Sequence, residues 1–194
     1  MKKFELTSEF ITNIFGTKLF RIKALIEFGN VKAGELGGFV EKEENLSQDG
    51  NAWVYDNARV YGDACVCGDA CVCGNARVCG DARVHGNARV YDNARVYGNA
   101  RVHGNAWVYG NACVCGDACV YGDAGYATVH GFGSEYRTTT FFKTKAGVGV
   151  KCGCFYGNLS EFRKKVVETH GETKKAKEYL MLADLMEFRF SDNS

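Results

Sequence analysis

No segment of this 194-residue chain is apolar for long enough to span a bilayer, and Met1 to Phe20 lacks the unbroken apolar run of a leader segment. Excess charge is equally scarce. The formal net charge is +1, divided as −1 over residues 1–49, 0 over 50–121 and +2 over 122–194, which gives no polyanion-binding signal and no expectation of a nucleic-acid partner. A Gly-rich phosphate loop, a nucleophile elbow and a paired-carboxylate constellation are also absent, so no motif-borne route to catalysis is legible. These absences lead to the expectation of a soluble, cytoplasmic protein with no membrane contact and no cofactor.

What the chain does have is a repeat. From Gly50 to Tyr121 twelve six-residue units follow one another without insertion, each reading Gly (twice Asp), Asn or Asp, Ala, a variable residue, Val and a second variable residue. Ala52, Ala58, Ala64 and their successors alternate with Val54, Val60, Val66 and theirs, so each unit offers two apolar side chains on one face of a strand. The Gly-Asn and Gly-Asp pairs are turn chemistry, because both members tolerate left-handed backbone. Short strand plus corner, repeated, predicts a parallel β-solenoid. Longer echoes set the coil size: RVHGNA recurs after 18 residues, DNARVYG after 36 and GNAWVY after 54. Multiples of 18 imply a triangular prism, three hexapeptides per turn and about four turns over residues 50–124.

This pattern resembles the left-handed β-helix of hexapeptide-repeat proteins. The entry segment, FGNVKAGELGGFVEKEENLSQDGNAWVY, is similar to that of uncharacterised bacterial and phage hexapeptide-repeat proteins, some labelled putative acyltransferases. The resemblance implies a homotrimer with prisms side by side and, for acyltransferases, a histidine near a subunit interface with a projecting loop beside an acyl-CoA groove. Among the repeat units no such loop projects. Residues 1–49 read as an N-terminal cap with strands at Phe4–Thr7 and Lys18–Leu25. Residues 125–194 read as a ββαα module: a crossover from Ala124 to Ser134, a hairpin of Thr138–Lys143 and Val148–Phe155, and helices to about Thr169 and from about Thr173 to Phe188. That module resembles tails of phage-associated proteins, which would place the protein in the host cytoplasm.

With Ala and Val inward, the variable residues stack outward on three faces. The first carries Trp53, Cys71, Arg89 and Trp107 beside Tyr55, Cys73, Tyr91 and Tyr109. Of these, Trp53, Tyr55, Tyr91, Trp107 and Tyr109 form an aromatic patch expected at the trimer interface. The second face carries Arg59, Arg77, Arg95 and Cys113 beside Tyr61, Cys79, Tyr97 and Cys115. Three guanidinium groups in one column, with no acid to neutralise them, suit an anionic ligand, Tyr61 and Tyr97 offering a stacking surface for its ring. The third face carries Cys65, Arg83, Arg101 and Cys119 beside Cys67, His85, His103 and Tyr121, and Arg83 and Arg101 join the same ligand-binding set.

The ten cysteines do not assemble into an expected metal site. Cys65 and Cys67 straddle a corner from Cys71 and Cys73, and Cys152 and Cys154 point along one side of a strand. The reading is therefore a non-catalytic solenoid binding an anionic, nucleotide-like small molecule, in a phage setting a host signal nucleotide. An acyl-CoA-dependent acyltransferase using His85 or His103 is the first alternative, and a structural spacer the second.

Overall fold

The computed structural model describes residues 1–122, 125–133, 135 and 137–191. The ends of the expected crossover, Ala124 and Ser134, lie outside the described residues. Three strands come first: β1 (Phe4–Thr12), β2 (Lys18–Ala24) and β3 (Leu36–Val40). Twelve short strands, β4 to β15, then follow one per hexapeptide, from Trp53–Val54 to Cys119–Tyr121. They form three parallel sheets, because residues 18 apart are register partners throughout, as in Arg59 with Arg77 and Val60 with Val78. Every Ala and Val of the repeat is buried, so the interior is one continuous column of small and β-branched side chains.

The coil count is about five rather than four. β3 pairs in parallel with Arg59–Val60, and Leu46 bridges to Val66, so a partial coil precedes the first recognisable repeat. It was hidden because its side chains, Phe39 and Val40 with two glycines before them, do not spell the hexapeptide. The corners are left-handed. Gly62, Gly68 and their equivalents have φ near 70°, and Asp56 and Asp92 adopt φ of 54° and 60° where glycine is replaced. Each aspartate carboxylate accepts a backbone N–H from the coil above, Gly74 at 3.0 Å and Gly110 at 3.2 Å, which offsets the backbone strain.

Open ends of a solenoid leave carbonyls on one side and N–H groups on the other without partners. Side chains cap both. At the first coil, buried Asn45 donates Nδ2 to Gly62 O at 3.0 Å and Ala64 O at 2.8 Å, and buried Lys3 donates Nζ to Ala52 O at 3.0 Å. Burial pulls the Lys3 ammonium down to about 8, opposed by Asp49. At the last coil, Cys113 N donates to Thr140 Oγ1 at 3.0 Å.

Thr140 belongs to a four-stranded antiparallel sheet, β16 (Tyr126–Val129), β17 (Thr139–Thr144), β18 (Gly147–Cys152) and β19 (Phe155–Asn158), followed by α1 (Leu159–His170) and α2 (Lys174–Phe190). The expected two-strand module is thus a four-strand one. Gly153, at φ 56°, turns the chain where one long strand was expected, and Tyr126–Val129 pairs with β17 from within the expected crossover. Period-2 alternation in β17 joins two cores: Phe142 closes the solenoid column, while Phe141 packs with Val150, Phe162 and Tyr179 under the helices. Asn158 and Glu161 form the capping box of α1, and Thr173 caps α2. Among the described residues no helix is long and apolar enough to cross a membrane.

Candidate functional site

The parallel register places each outward column as the repeat implies, but the caps and the core decide which side chains stay available. On the first face Trp53 is fully buried, its ring edge-on to Phe4 at 6.2 Å and Phe28 at 5.3 Å. Its place in the expected outward aromatic patch is therefore lost to the N-terminal strands, and its indole N–H has no acceptor among the described residues. Tyr55 packs against the core beside it. The exposed part of the patch is the upper half: Trp107 and Tyr109 are 43% and 50% exposed, Tyr91 stacks on Tyr109 at 5.3 Å, and Arg89 lies 5.2 Å over Trp107. This half lines a concavity of about 530 Å³ shared with Tyr126, Met186 and Arg189.

On the second face Arg59, Arg77 and Arg95 are successive register partners, with Phe39 below and Cys113 above. None of the three forms an ion pair among the described residues. Their tyrosines are committed elsewhere. Burial and a hydrogen bond with Cys79 push Tyr61 up to about 12. Tyr97 packs on the core, and its hydroxyl lies 3.4 Å from Cys113 Sγ. The rings that a ligand base would stack on are thus half-buried in the sheet surface.

The third face is more open. Arg83 and Arg101 are exposed register partners and, with Asp63, Cys65, Cys67 and His85, line a groove of about 490 Å³. The one carboxylate among the lining residues, Asp63, is held 2.7 Å from Lys42 Nζ, and among the described residues neither guanidinium forms an ion pair. His85 and His103 stack face to face at 5.0 Å and 5°. Partial burial, then the charges of His103, Arg101 and Arg83, lower the His85 imidazole from its usual range and keep it neutral at neutral pH. His103 Nε2 lies 3.3 Å from Cys119 Sγ and its ring 4.9 Å from Tyr121. Among the described residues no carboxylate hydrogen-bonds either imidazole, so neither has the orienting partner of a general base.

Arg101 also lines a second cleft, about 530 Å³, between the last coil and the β17–β18 hairpin, together with Asn99, Asp117, Lys145, Tyr156 and Glu161. Asp117 accepts from the neutral Asn99 amide at 3.1 Å and Glu161 from the Asn158 backbone N–H, so the cleft sets two carboxylates beside the two cations Arg101 and Lys145. Sequence reasoning missed Lys145, because nothing in a hairpin turn signals that it folds beside the repeat. Cys65 and Cys67 stand on one sheet and Cys71 and Cys73 on another, and among the described residues no group of three or more His, Cys, Asp or Glu side chains has metal-binding geometry.

The repeats match the family described as YdcK Beta solenoid repeat over residues 52–68, 70–86, 88–104 and 94–110. A stretch of 63 residues is 40% identical to a protein of Escherichia coli (strain K12) named "Uncharacterized acetyltransferase YdcK", covering 29% of this chain and 19% of that protein. The matched stretch thus spans about a fifth of the relative's length. Sheet register, corner glycines and these matches agree: the chain carries a parallel β-solenoid of hexapeptide repeats whose coils are similar to the YdcK β-solenoid repeat.

Proposed function

We propose that this protein is a non-catalytic solenoid that binds an anionic small molecule in the third-face groove. Arg83 and Arg101 supply the charge, and His85 with the Cys65–Cys67 wall supplies the floor. The observation that carries this reading is the pair of exposed guanidinium groups, without an ion-pair partner among the described residues, in register within one concavity. Two forked donors about one strand spacing apart, roughly 4.8 Å, suit a phosphate or diphosphate better than a single carboxylate. A nucleotide-like ligand adds a ring that can lie against the histidine stack. The second-face arginines rank behind, because Tyr61 and Tyr97 are turned to the sheet. A homotrimer is proposed through the exposed half of the first face, around Trp107 and Tyr109.

Isothermal titration with ATP and with adenosine tests this. ATP binding without adenosine binding is expected, with Arg83→Gln plus Arg101→Gln weakening ATP at least tenfold and Arg59→Gln plus Arg77→Gln plus Arg95→Gln leaving it unchanged. Because an anion favours the imidazolium, affinity should tighten as pH falls through the range, below that of an ordinary imidazole, in which His85 becomes charged. The reverse ranking of the two arginine sets would move the site to the second face, and no binding of either probe would remove the proposal.

One observation supports a second reading: His85 is held neutral inside the groove, as a base must be, and the relative's name contains acetyltransferase. Acetyl-CoA turnover that disappears in His85→Ala would promote it over binding alone.

A further inference from the structure

The binding of an anion on the third face leaves the C-terminal module without a role, and that module holds a cavity of its own. Its floor is built from the second core: Phe162, Val166 and Tyr179, all buried, with half-buried Phe155 beside them. The rings are fixed against one another. Phe162 meets Tyr179 edge-on at 5.7 Å and Phe155 at 5.5 Å, and the His170 ring stacks on Tyr179 at 5.8 Å and 25°. All the lining residues of this space, about 300 Å³, fall between Glu135 and Tyr179, so it is separate from the third-face groove.

Two exposed cations border it. Lys165 projects from α1, and Arg137 from the segment ahead of β17. Arg137 has a built seat: a Cβ on Gly153, whose φ of 56° already suits glycine, would lie 2.6 Å from Arg137 Nη1, so the β18–β19 turn makes room for the guanidinium by having no side chain there. The nearby acids hold both cations loosely. Arg137 lies 3.6 Å from Glu135 and Lys165 3.7 Å from Glu168, long contacts between side chains at least half exposed, and such pairs contribute little.

We propose that this cavity binds a small aromatic anion, an aryl carboxylate being the simplest of the class. An apolar, ring-lined space bordered by a few charged groups suits such a ligand, and about 300 Å³ is the small end of ligand cavities, room for one ring or two fused ones. The carbonyl end of α1, at Thr169 and His170, repels an anion. The carboxylate therefore sits with Arg137 and Lys165, which donate charge-assisted hydrogen bonds to it, and the ring lies over Phe162 and Tyr179. Each half of the site recognises one half of the ligand, so neither the anion nor the ring binds comparably alone.

Cys154, exposed at the same turn and lining the cavity, is a built-in reporter. Isothermal titration of the full chain with naphthoate, its neutral amide and acetate is paired with iodoacetamide labelling, the rate at Cys154 being read by peptide mass spectrometry with and without naphthoate. Naphthoate is expected to bind and to slow alkylation of Cys154, with the amide and acetate roughly tenfold weaker or worse. Arg137→Gln with Lys165→Gln should bring naphthoate down to the affinity of the amide. Arg83→Gln with Arg101→Gln should leave it unchanged, which separates this site from the third-face groove. No binding of naphthoate, equal affinity for acid and amide, or binding that leaves Cys154 as reactive as before overturns the proposal, and all three outcomes are read on the wild-type chain.

Discussion

Replacing a corner glycine by alanine separates two forces that the repeat superimposes. Gly80 and Gly110 share the same backbone, with φ of 69° and 65°, so a Cβ at either carries the same left-handed penalty of about 1–2 kcal/mol. Their surroundings differ. A Cβ on Gly80 would lie 3.0 Å from Gly98 N and 3.4 Å from Gly98 Cα and O, backbone atoms of the next coil that cannot swing aside, whereas a Cβ on Gly110 meets nothing within 4 Å. Overpacking of that kind costs about 1–3 kcal/mol more. Gly110→Ala should therefore cost about 1–2 kcal/mol and Gly80→Ala about 2–5 kcal/mol. In a domain of this size the gap corresponds to roughly 2–12 °C in Tm. Urea titrations of both variants, with thermal melts read by circular dichroism, provide the comparison. Equal losses would refute the argument that coil stacking, rather than backbone conformation, makes glycine necessary at these corners.

Other outcomes follow from single side chains. Trp53→Phe should be tolerated within about 1.5 kcal/mol, since it keeps the ring under Phe4 and Phe28 and deletes an unpaired N–H, while Trp53→Ala should cost about 3–5 kcal/mol by urea unfolding. Lys3 titrates near 8 when folded and near 10.4 when unfolded, so between these values the unfolded chain holds more protons and stability climbs with pH; Lys3→Met should flatten that slope in melts from pH 7.5 to 10.5. Trp107→Ser with Tyr109→Ser should convert a trimer to monomer in light scattering, and an unchanged mass would take assembly away from the first face. Asp92→Gly should be nearly neutral, exchanging a strained backbone for the lost hydrogen bond to Gly110 N, whereas Asp92→Ala keeps the strain, loses the bond and should cost about 1–2 kcal/mol in the same titration.

The hexapeptide determined most of the architecture by itself. Alternating Ala and Val can be buried only on the inside of a coil, Gly-Asn and Gly-Asp can only turn it, and echoes at multiples of 18 leave only three sides, so faces and columns were legible residue by residue. That information is local and periodic, which is why one strand's worth of sequence predicts every rung. What ends the solenoid is not periodic. Phe39–Val40 as an extra rung, Lys3 and Asn45 as stand-ins for missing backbone donors, and Phe142 as the lid of the column depend on contacts tens of residues apart. The same distant contacts decided the candidate site. The N-terminal strands bury Trp53, the core draws Tyr97 inward, Lys42 neutralises Asp63, and the β17–β18 hairpin brings Lys145 beside Arg101. Sequence thus fixed which side chains stand in each column; only tertiary packing, through burial and charge pairing, decided which of them remain free to meet a ligand.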